Sequence, residues 1–554
     1  MNKKVEASPM TIKQQNNLPP SLEKIIDGIR RHQHSMKPSL AKKIVLEAGV
    51  KMEDLNPWET YNHSKADSYG RKLVFAADFF EIMVMSWAPG DVSAIHDHGY
   101  TQWGVVQIFG AAEHATFLVQ DDSINTLSRE VIQPPKIIAV GHQLVHQMAN
   151  RSQERFLSLH VYGVNTEGFA QESVTADARI WNITDGVVQR TNGGVFFALA
   201  DKQINSVENG PLPDYLSWLH YTIEYLRRVR KAKQENHERD WETLEKRLTE
   251  NLFDDDNWYS LKRELMEHID SSGHTTNTNY WNLLRNELIH GAQLQSEILA
   301  RENNEEDSFY TYAELYDEII GKKCLDGFTS RYIKFVCDTY NFDFSTLKIL
   351  SIGCGTGIME EYIMQTYSVP SSNLLGIDVS EAMVKIASKK INAAVENILE
   401  MQGEEINFDL SFASLNVFQY LPQLMMEKAI QKTAEVTKKG GYFVGDFITS
   451  DHIRWYPNVI TSENVISLRQ PLLLEENHNT LQQSEIINVS KMQGKLQITY
   501  EGKHVRYLPS LWKVRYLFKK YFGSVDIFDA VTLEPLESEN DTCPSTRYLV
   551  VAKN

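Results

Sequence analysis

The sequence predicts a multidomain chain: a β-barrel domain over residues 1–200, a helical section over 201–305 and an α/β domain on a parallel sheet over 306–554. Three observations predict it. From 69 to 200, short β-type runs such as FFEIMVMSWA, WGVVQIFG and FLSLHVYGV are punctuated by turn residues, with no long helix between them. From 201 to 305, stretches such as YLSWLHYTIEYLRRVRKAK and WETLEKRLTENL are amphipathic at helical spacing. From 308 onward, strands alternate with helices, as in a parallel sheet with crossover helices. The length of 554 residues agrees with about three domains at roughly 100–200 residues each.

Residues 1–20 read as a disordered lead-in without the apolar core of a signal peptide. Residues 21–56 read as helical, because SLEKIIDGIRRH and LAKKIVLEAGV place apolar residues three and four apart. The charged stretch RENNEED at 301–307 reads as a linker. The helical section carries neither metal-ligand spacing nor a glycine loop, and is expected to serve as a spacer or homodimerisation module. A net charge of −17 argues against a nucleic-acid partner, since phosphate backbones demand concentrated Lys and Arg. The one basic stretch, Arg227, Arg228, Arg230, Lys231 and Lys233, sits among acids and reads as a solvated helix face. No run of about 18 apolar residues is present, so no membrane span is expected. The four cysteines are spaced for neither a disulfide framework nor a zinc knuckle, which points to a reducing cytoplasm.

The most informative stretch of the first domain is PGDVSAIHDHGYTQWGVVQIFG at 89–110. On a strand, His96 and His98 face the same side while Asp97 points away. Two neutral imidazoles on one face make a transition-metal site. The best third ligand is His146 in VHQMAN, with His142, four residues earlier, as the alternative. His114 has no obvious partner. Gly90, His96-x-His98 and Gly110 fit the first cupin motif, and His146-x3-Asn150 fits the second. Many cupins add a glutamate to the first motif; here that slot holds Trp103, leaving a three-histidine site.

With these residues, the region 69–162 resembles the cysteine dioxygenase and bacterial thiol dioxygenase family, which implies a cupin barrel (double-stranded β-helix) and Fe(II). YGRKLV at 69–74 resembles the family's carboxylate-gripping segment, which makes Arg71 the clamp for a substrate carboxylate. SLHVY at 158–162 resembles its Ser-x-His-x-Tyr strand, whose Ser158, His160 and Tyr162 share one face and would orient substrate and oxygen. Animal members carry a cysteine, cross-linked to the tyrosine, where this sequence has Trp103; the domain contains no cysteine, so that link cannot form. The implied substrates are dioxygen and a small thiol or amino acid.

In the last domain, LKILSIGCGTGI at 347–358 reads as a buried strand followed by Gly353, Gly355 and Gly357 turning into a helix. Asp378 in LLGIDVS ends the second strand, where a carboxylate can accept both hydroxyls of a ribose. The G-x-G-x-G pattern, then IDVSEAM and FDLSFASLNVFQYLP, resembles the Rossmann-like class I methyltransferases, which implies S-adenosylmethionine as cofactor. The same resemblance places Glu404 or Glu405 near the adenine, Asn416 near the methyl donor and Tyr316 on a helix covering the cofactor; plain helix packing is the equal alternative for Tyr312 and Tyr316. Beyond Ile448 an inserted β-rich lid is expected to build the acceptor pocket. There Arg454, Trp455 and Tyr456 are candidates to bind an acidic acceptor, or else ordinary surface or core residues. No general base stands out.

The expectation is a bifunctional enzyme that oxidises a small thiol to a sulfinate and methylates the same or a related molecule. The alternative is an inactive cupin that senses thiols or metal and regulates a small-molecule methyltransferase.

Overall fold

A computed structural model of the protein describes residues 18–169, 173–234, 240–252, 254–270, 274–295, 309–401, 407–476, 479–492, 494–536 and 545–554. Packing divides the chain into two units, 1–257 and 258–554.

The first unit is rich in antiparallel strands. β1 (Gly70–Ala77), β2 (Phe80–Trp87), β3 (Trp103–Ile108), β4 (Ala112–Val119), β5 (Ser123–Ile132), β6 (Lys136–Gly141), β7 (Val145–Ala149) and β8 (Phe156–Gly163) come first, then β9 (Ala178–Asn182), β10 (Val187–Thr191), β11 (Ile204–Asn209) and β12 (Leu212–Pro213). They form sheets in the orders β1-β2-β8-β3-β6, β12-β5-β4-β7 and β11-β10-β9. Every residue of β2 and β8 is buried. Both faces of these strands are therefore covered, although β8 alternates apolar Leu157, Leu159 and Val161 with polar Ser158 and His160. Helix Pro38–Ala48 packs on β3 and β6, supplying part of that cover.

The helix Tyr215–Lys233 corrects the reading of the basic stretch. Arg228 is buried, not solvated. Its guanidinium donates to the carbonyls of Lys65, Ser68 and Gly90 and pairs with Asp91 at 3.4 Å. The helix packs against the loop that leads into the His96 segment, and the arginine satisfies carbonyls that no strand pairs. Its neighbours Arg227 and Arg230 pair with Glu224 and Glu245.

In the second unit, β13 (Ile349–Ile352), β14 (Leu374–Asp378), β15 (Ala393–Val395), β16 (Phe408–Ala413) and β17 (Thr437–Ile448) run parallel. A separate antiparallel sheet, β18 (Val459–Thr461), β19 (Val465–Glu476), β20 (Asn479–Met492) and β21 (Lys495–Tyr507), follows β17. β22 (Ser524–Asp529) and β23 (Arg547–Lys553) then complete a seven-stranded sheet, β15-β14-β13-β16-β17-β23-β22, with β23 antiparallel to β17. Apolar clusters cover both faces, one with the helices Gln423–Val436 and Leu511–Tyr521, the other with Ser330–Tyr340 and Ile358–Tyr367. The carboxyl ends of β13, β14 and β16 therefore open on one edge, where such sheets bind ligands.

Candidate functional site

In the first unit His96, His98 and His146 converge, with ligand atoms within 4.8 Å of one another. All three are buried. The pair is not held on a regular strand as the two-residue spacing suggested. His96 makes isolated bridges to His146, with both backbone N–H···O bonds at 3.0 Å, and to Ile180, and His98 leads into the turn that follows. Asp97 does point away: its carboxylate accepts from the Arg179 Nε at 2.7 Å and from the backbone N–H of Gly99 and Arg179, which fixes the loop.

Hydrogen bonds aim two of the three rings, while His98 Nδ1 is buried without a hydrogen-bond partner. His96 Nδ1 lies 2.8 Å from the Ala94 carbonyl, so it carries the proton and Nε2 is left as a ligand. His146 Nδ1 lies 2.9 Å from His114 Nε2, and His146 Nε2 faces His98 Nε2 at 3.1 Å. His114 is thus the outer partner that orients a ligand, a role its position in the sequence did not reveal. His142 is engaged elsewhere, on the Thr101 carbonyl at 2.9 Å. Burial pushes His96 down to about 4, and burial together with the neighbouring rings holds His98 and His146 well below the usual imidazole range. Three neutral, dry imidazoles facing one point suit a divalent transition metal.

On β8, Ser158, His160 and Tyr162 form a hydrogen-bonded chain: Ser158 Oγ to His160 Nε2 at 2.7 Å and His160 Nδ1 to Tyr162 Oη at 2.9 Å. Trp87 begins it. Its indole N–H can only donate, and it donates to Ser158 Oγ at 2.9 Å. The serine proton then has one partner, His160 Nε2, so His160 Nδ1–H donates to Tyr162. The phenol proton is left free to point outward. The Tyr162 and His98 rings lie 4.9 Å apart, which sets that hydroxyl beside the histidines. Burial pushes the phenol above its ordinary range, so it stays protonated. Register across β1, β2 and β8 pairs Arg71 with Met85 and Met85 with Ser158, placing Arg71 and Ser158 on one face. The Arg71 guanidinium donates to Thr175 Oγ1 at 3.1 Å, while its Nε is buried without a partner.

In the second unit a cavity of about 420 Å³ opens at the carboxyl ends of β13 and β14. Gly353, Gly355, Asp378 and Tyr316 line it. Gly353, Gly355 and Gly357 all have positive φ, and the space beside the Gly355 Cα is empty. A side chain there would enter the cavity. The Asp378 carboxylate accepts from the backbone N–H of Gly355 and Ser380, both at 2.9 Å, which ties it to the glycine turn. Glu396 and Asn397 also line the cavity, which sequence reading missed. Glu404 and Glu405 lie outside the described residues.

Residues 37–167 match the family model for cysteine dioxygenase type I, and residues 349–441 match the model for a methyltransferase domain. The chain is a cysteine dioxygenase-like domain fused to a methyltransferase domain. The chain is 29% identical, over 165 residues, to the ubiquinone/menaquinone biosynthesis C-methyltransferase UbiE of Campylobacter jejuni; this match spans 26% of the chain and 63% of that relative. Similar solved structures include an S-adenosylmethionine-dependent methyltransferase from Clostridium acetobutylicum (18% identity, 44% of this chain and 97% of that one, TM-score 0.36). Another is the CcbJ methyltransferase from Streptomyces caelestis (14%, 45% and 98%, TM-score 0.34).

Two further placements complete the sites. In the dioxygenase-like domain, Trp103 is fully buried, and a Cβ on Gly163 would meet its ring at 2.1 Å, so glycine at 163 is what admits the indole. In the methyltransferase domain, Asn416 lines a second cavity of about 320 Å³ rather than the first. Tyr456 lines that cavity too, whereas Arg454 is exposed and pairs with Asp451. No helix among the described residues is long and apolar enough to cross a membrane.

Proposed function

We propose that the chain is a bifunctional enzyme: an iron-dependent dioxygenase that converts a small thiol to its sulfinate, and an S-adenosylmethionine-dependent methyltransferase acting on the same or a related small molecule. The observation that carries the first activity is the meeting of three neutral histidines with the Trp87–Ser158–His160–Tyr162 chain in one buried pocket. His96, His98 and His146 would hold the metal. Fe(II), when bound, supplies dioxygen activation, and both oxygen atoms end on the thiol sulfur. Arg71 binds a substrate carboxylate, since its free Nε and its Nη2 present a fork to an oxyanion. Tyr162 offers its proton as a hydrogen bond to oxygen-bearing groups at the sulfur, and His160 and Ser158 hold that phenol in place. Desolvation keeps each histidine neutral and competing protons out.

In the second unit, Asp378 would take the ribose hydroxyls and the turn at Gly355 the amino-acid end of the cofactor. S-adenosylmethionine, when bound, would supply a sulfonium methyl group to the acceptor's lone pair, with the C–S bonding pair remaining on sulfur. The protein's part is in-line positioning.

Oxygen consumption by the iron-loaded chain against cysteine, 3-mercaptopropionate, cysteamine and homocysteine, with mass spectrometry of products, tests the first activity. Uptake yielding a product heavier by two oxygen atoms, and lost in His96→Ala, is expected. Absence of uptake with every thiol removes the dioxygenase reading. Offering the oxidised product with labelled methyl donor then tests the shared molecule; two unconnected products would separate the reactions.

A further inference from the structure

The second cavity of the methyltransferase domain shares Phe309, Tyr316, Leu415 and Tyr420 with the cofactor cavity, so a molecule in it adjoins the methyl donor. Its lining is cationic. Arg469, Arg506, Arg547 and Lys323 contribute to it, and no Asp or Glu does. Arg547 is neutralised from behind by the buried Asp446. Arg469 and Arg506 are not: among the described residues their partners are uncharged. Arg469, 3% exposed, donates to Tyr312 at 2.8 Å, Ser467 at 3.2 Å and Tyr456 at 3.3 Å. Arg506 donates to Tyr420 at 3.0 Å and lies against Tyr456, 5.8 Å from its ring centre, and like Arg469 it meets no carboxylate among the described residues.

A buried guanidinium without a counter-charge is costly, and so is every buried donor left empty. The unsatisfied groups cluster here. On β20, Gln482 pairs in register with Arg506 and keeps both side-chain amide atoms buried without hydrogen-bond partners. The Nδ2 of Asn416 is likewise buried without one. The same two guanidinium groups act on Tyr456: burial alone would raise its phenol, yet Arg469 and Arg506, with a hydrogen bond from Ser484, bring it below the ordinary range.

We infer that this cavity is the acceptor site and takes a small organic oxyanion, a carboxylate or sulfinate, gripped by Arg469 and Arg506. The tyrosines and Ile460 and Ile486 enclose its carbon skeleton. The inference rests on reading the second unit as a methyltransferase, and it narrows that reading to acidic acceptors. A volume of about 320 Å³ admits a metabolite-sized acid and no polymer.

Calorimetric titration of the full chain tests it, first with S-adenosylhomocysteine and then, on the loaded protein, with 3-sulfinopropionate, succinate and succinamide. Wild type is expected to bind the two acids and not the diamide. Arg469→Gln and Arg506→Gln should each weaken acid binding by about tenfold or more, with S-adenosylhomocysteine affinity unchanged. Arg506→Lys should restore part of it, and the exposed Arg454→Gln should show none of the loss. Failure to bind S-adenosylhomocysteine would sink the methyltransferase reading itself. Binding of that ligand with no acid bound, equal binding of succinamide, or loss of S-adenosylhomocysteine instead of acid in the arginine variants would overturn the inference alone, the last by assigning the guanidinium groups to the cofactor.

Discussion

Tyr162 ends a chain of donors whose polarity is set three residues away from it in space, at the Trp87 indole. Tyr162→Phe removes only the terminal hydroxyl. Its oxygen uptake is expected to fall about a hundredfold, with metal content and thermal midpoint unchanged, as read by an oxygen electrode and metal analysis. Trp87→Phe leaves Ser158 free to turn its proton elsewhere, and a smaller loss is expected. Gly163→Ala acts differently. The added methyl collides with the Trp103 ring, and thermal denaturation should show a loss of about 1–3 kcal/mol. At this scale His96 and His98 were legible because their spacing is local, and His146 because it carries a second motif with Asn150. Trp87, His114 and Arg469 were not, because each reaches its site from an element that the sequence places far from the motif it serves.

Among elements, the junction of β13 with the helix Ile358–Tyr367 is the most constrained. Ser351 on the strand donates to the Glu360 carboxylate on the helix at 2.6 Å, beneath the glycine turn. Burial raises that carboxyl from 4.5 to about 7. The native state therefore holds a proton that the unfolded chain releases earlier. Stability is greatest below the lower value and falls as pH rises through the upper, by up to ~3 kcal/mol. Glu360→Gln should abolish this slope, raising the melting temperature of the second unit at pH above 7 and leaving it nearly unchanged near the lower value. Scanning calorimetry across that range checks it. The glycine turn and Asp378 were readable because they follow one another along the chain. The HxH pair was placed on a strand because the alternation fits one, but Gly99 and the Asp97 bonds bend the segment into a turn after the isolated bridges of His96 to His146 and Ile180.

For the whole molecule, two sites in two units predict separable chemistry. His96→Ala should abolish oxygen uptake and leave S-adenosylhomocysteine binding intact, and Asp378→Ala should do the reverse. A chelator should copy His96→Ala in the wild type. Loss of both functions in either variant, measured on the same samples, would contradict independence. The division of the chain was only partly legible, because amphipathic helices announce that they pack without naming what they pack on. Tyr215–Lys233 belongs with the strands before it, and Thr278–Gln295 lies along β21 after it.

The sheet of β18–β21 leaves the main fold after β17 and returns before the helix Leu511–Tyr521, while β17 pairs with β23 over Tyr442–Ile448 without it. Arg469 and Arg506 both ride on this insert, whereas Gly355 and Asp378 do not. Inheritance can therefore treat the two halves of the reaction as separate parts. Recombination that exchanges residues 459–507 would hand the same methyl-donor machinery a new clientele, with the donor's grip left as it was.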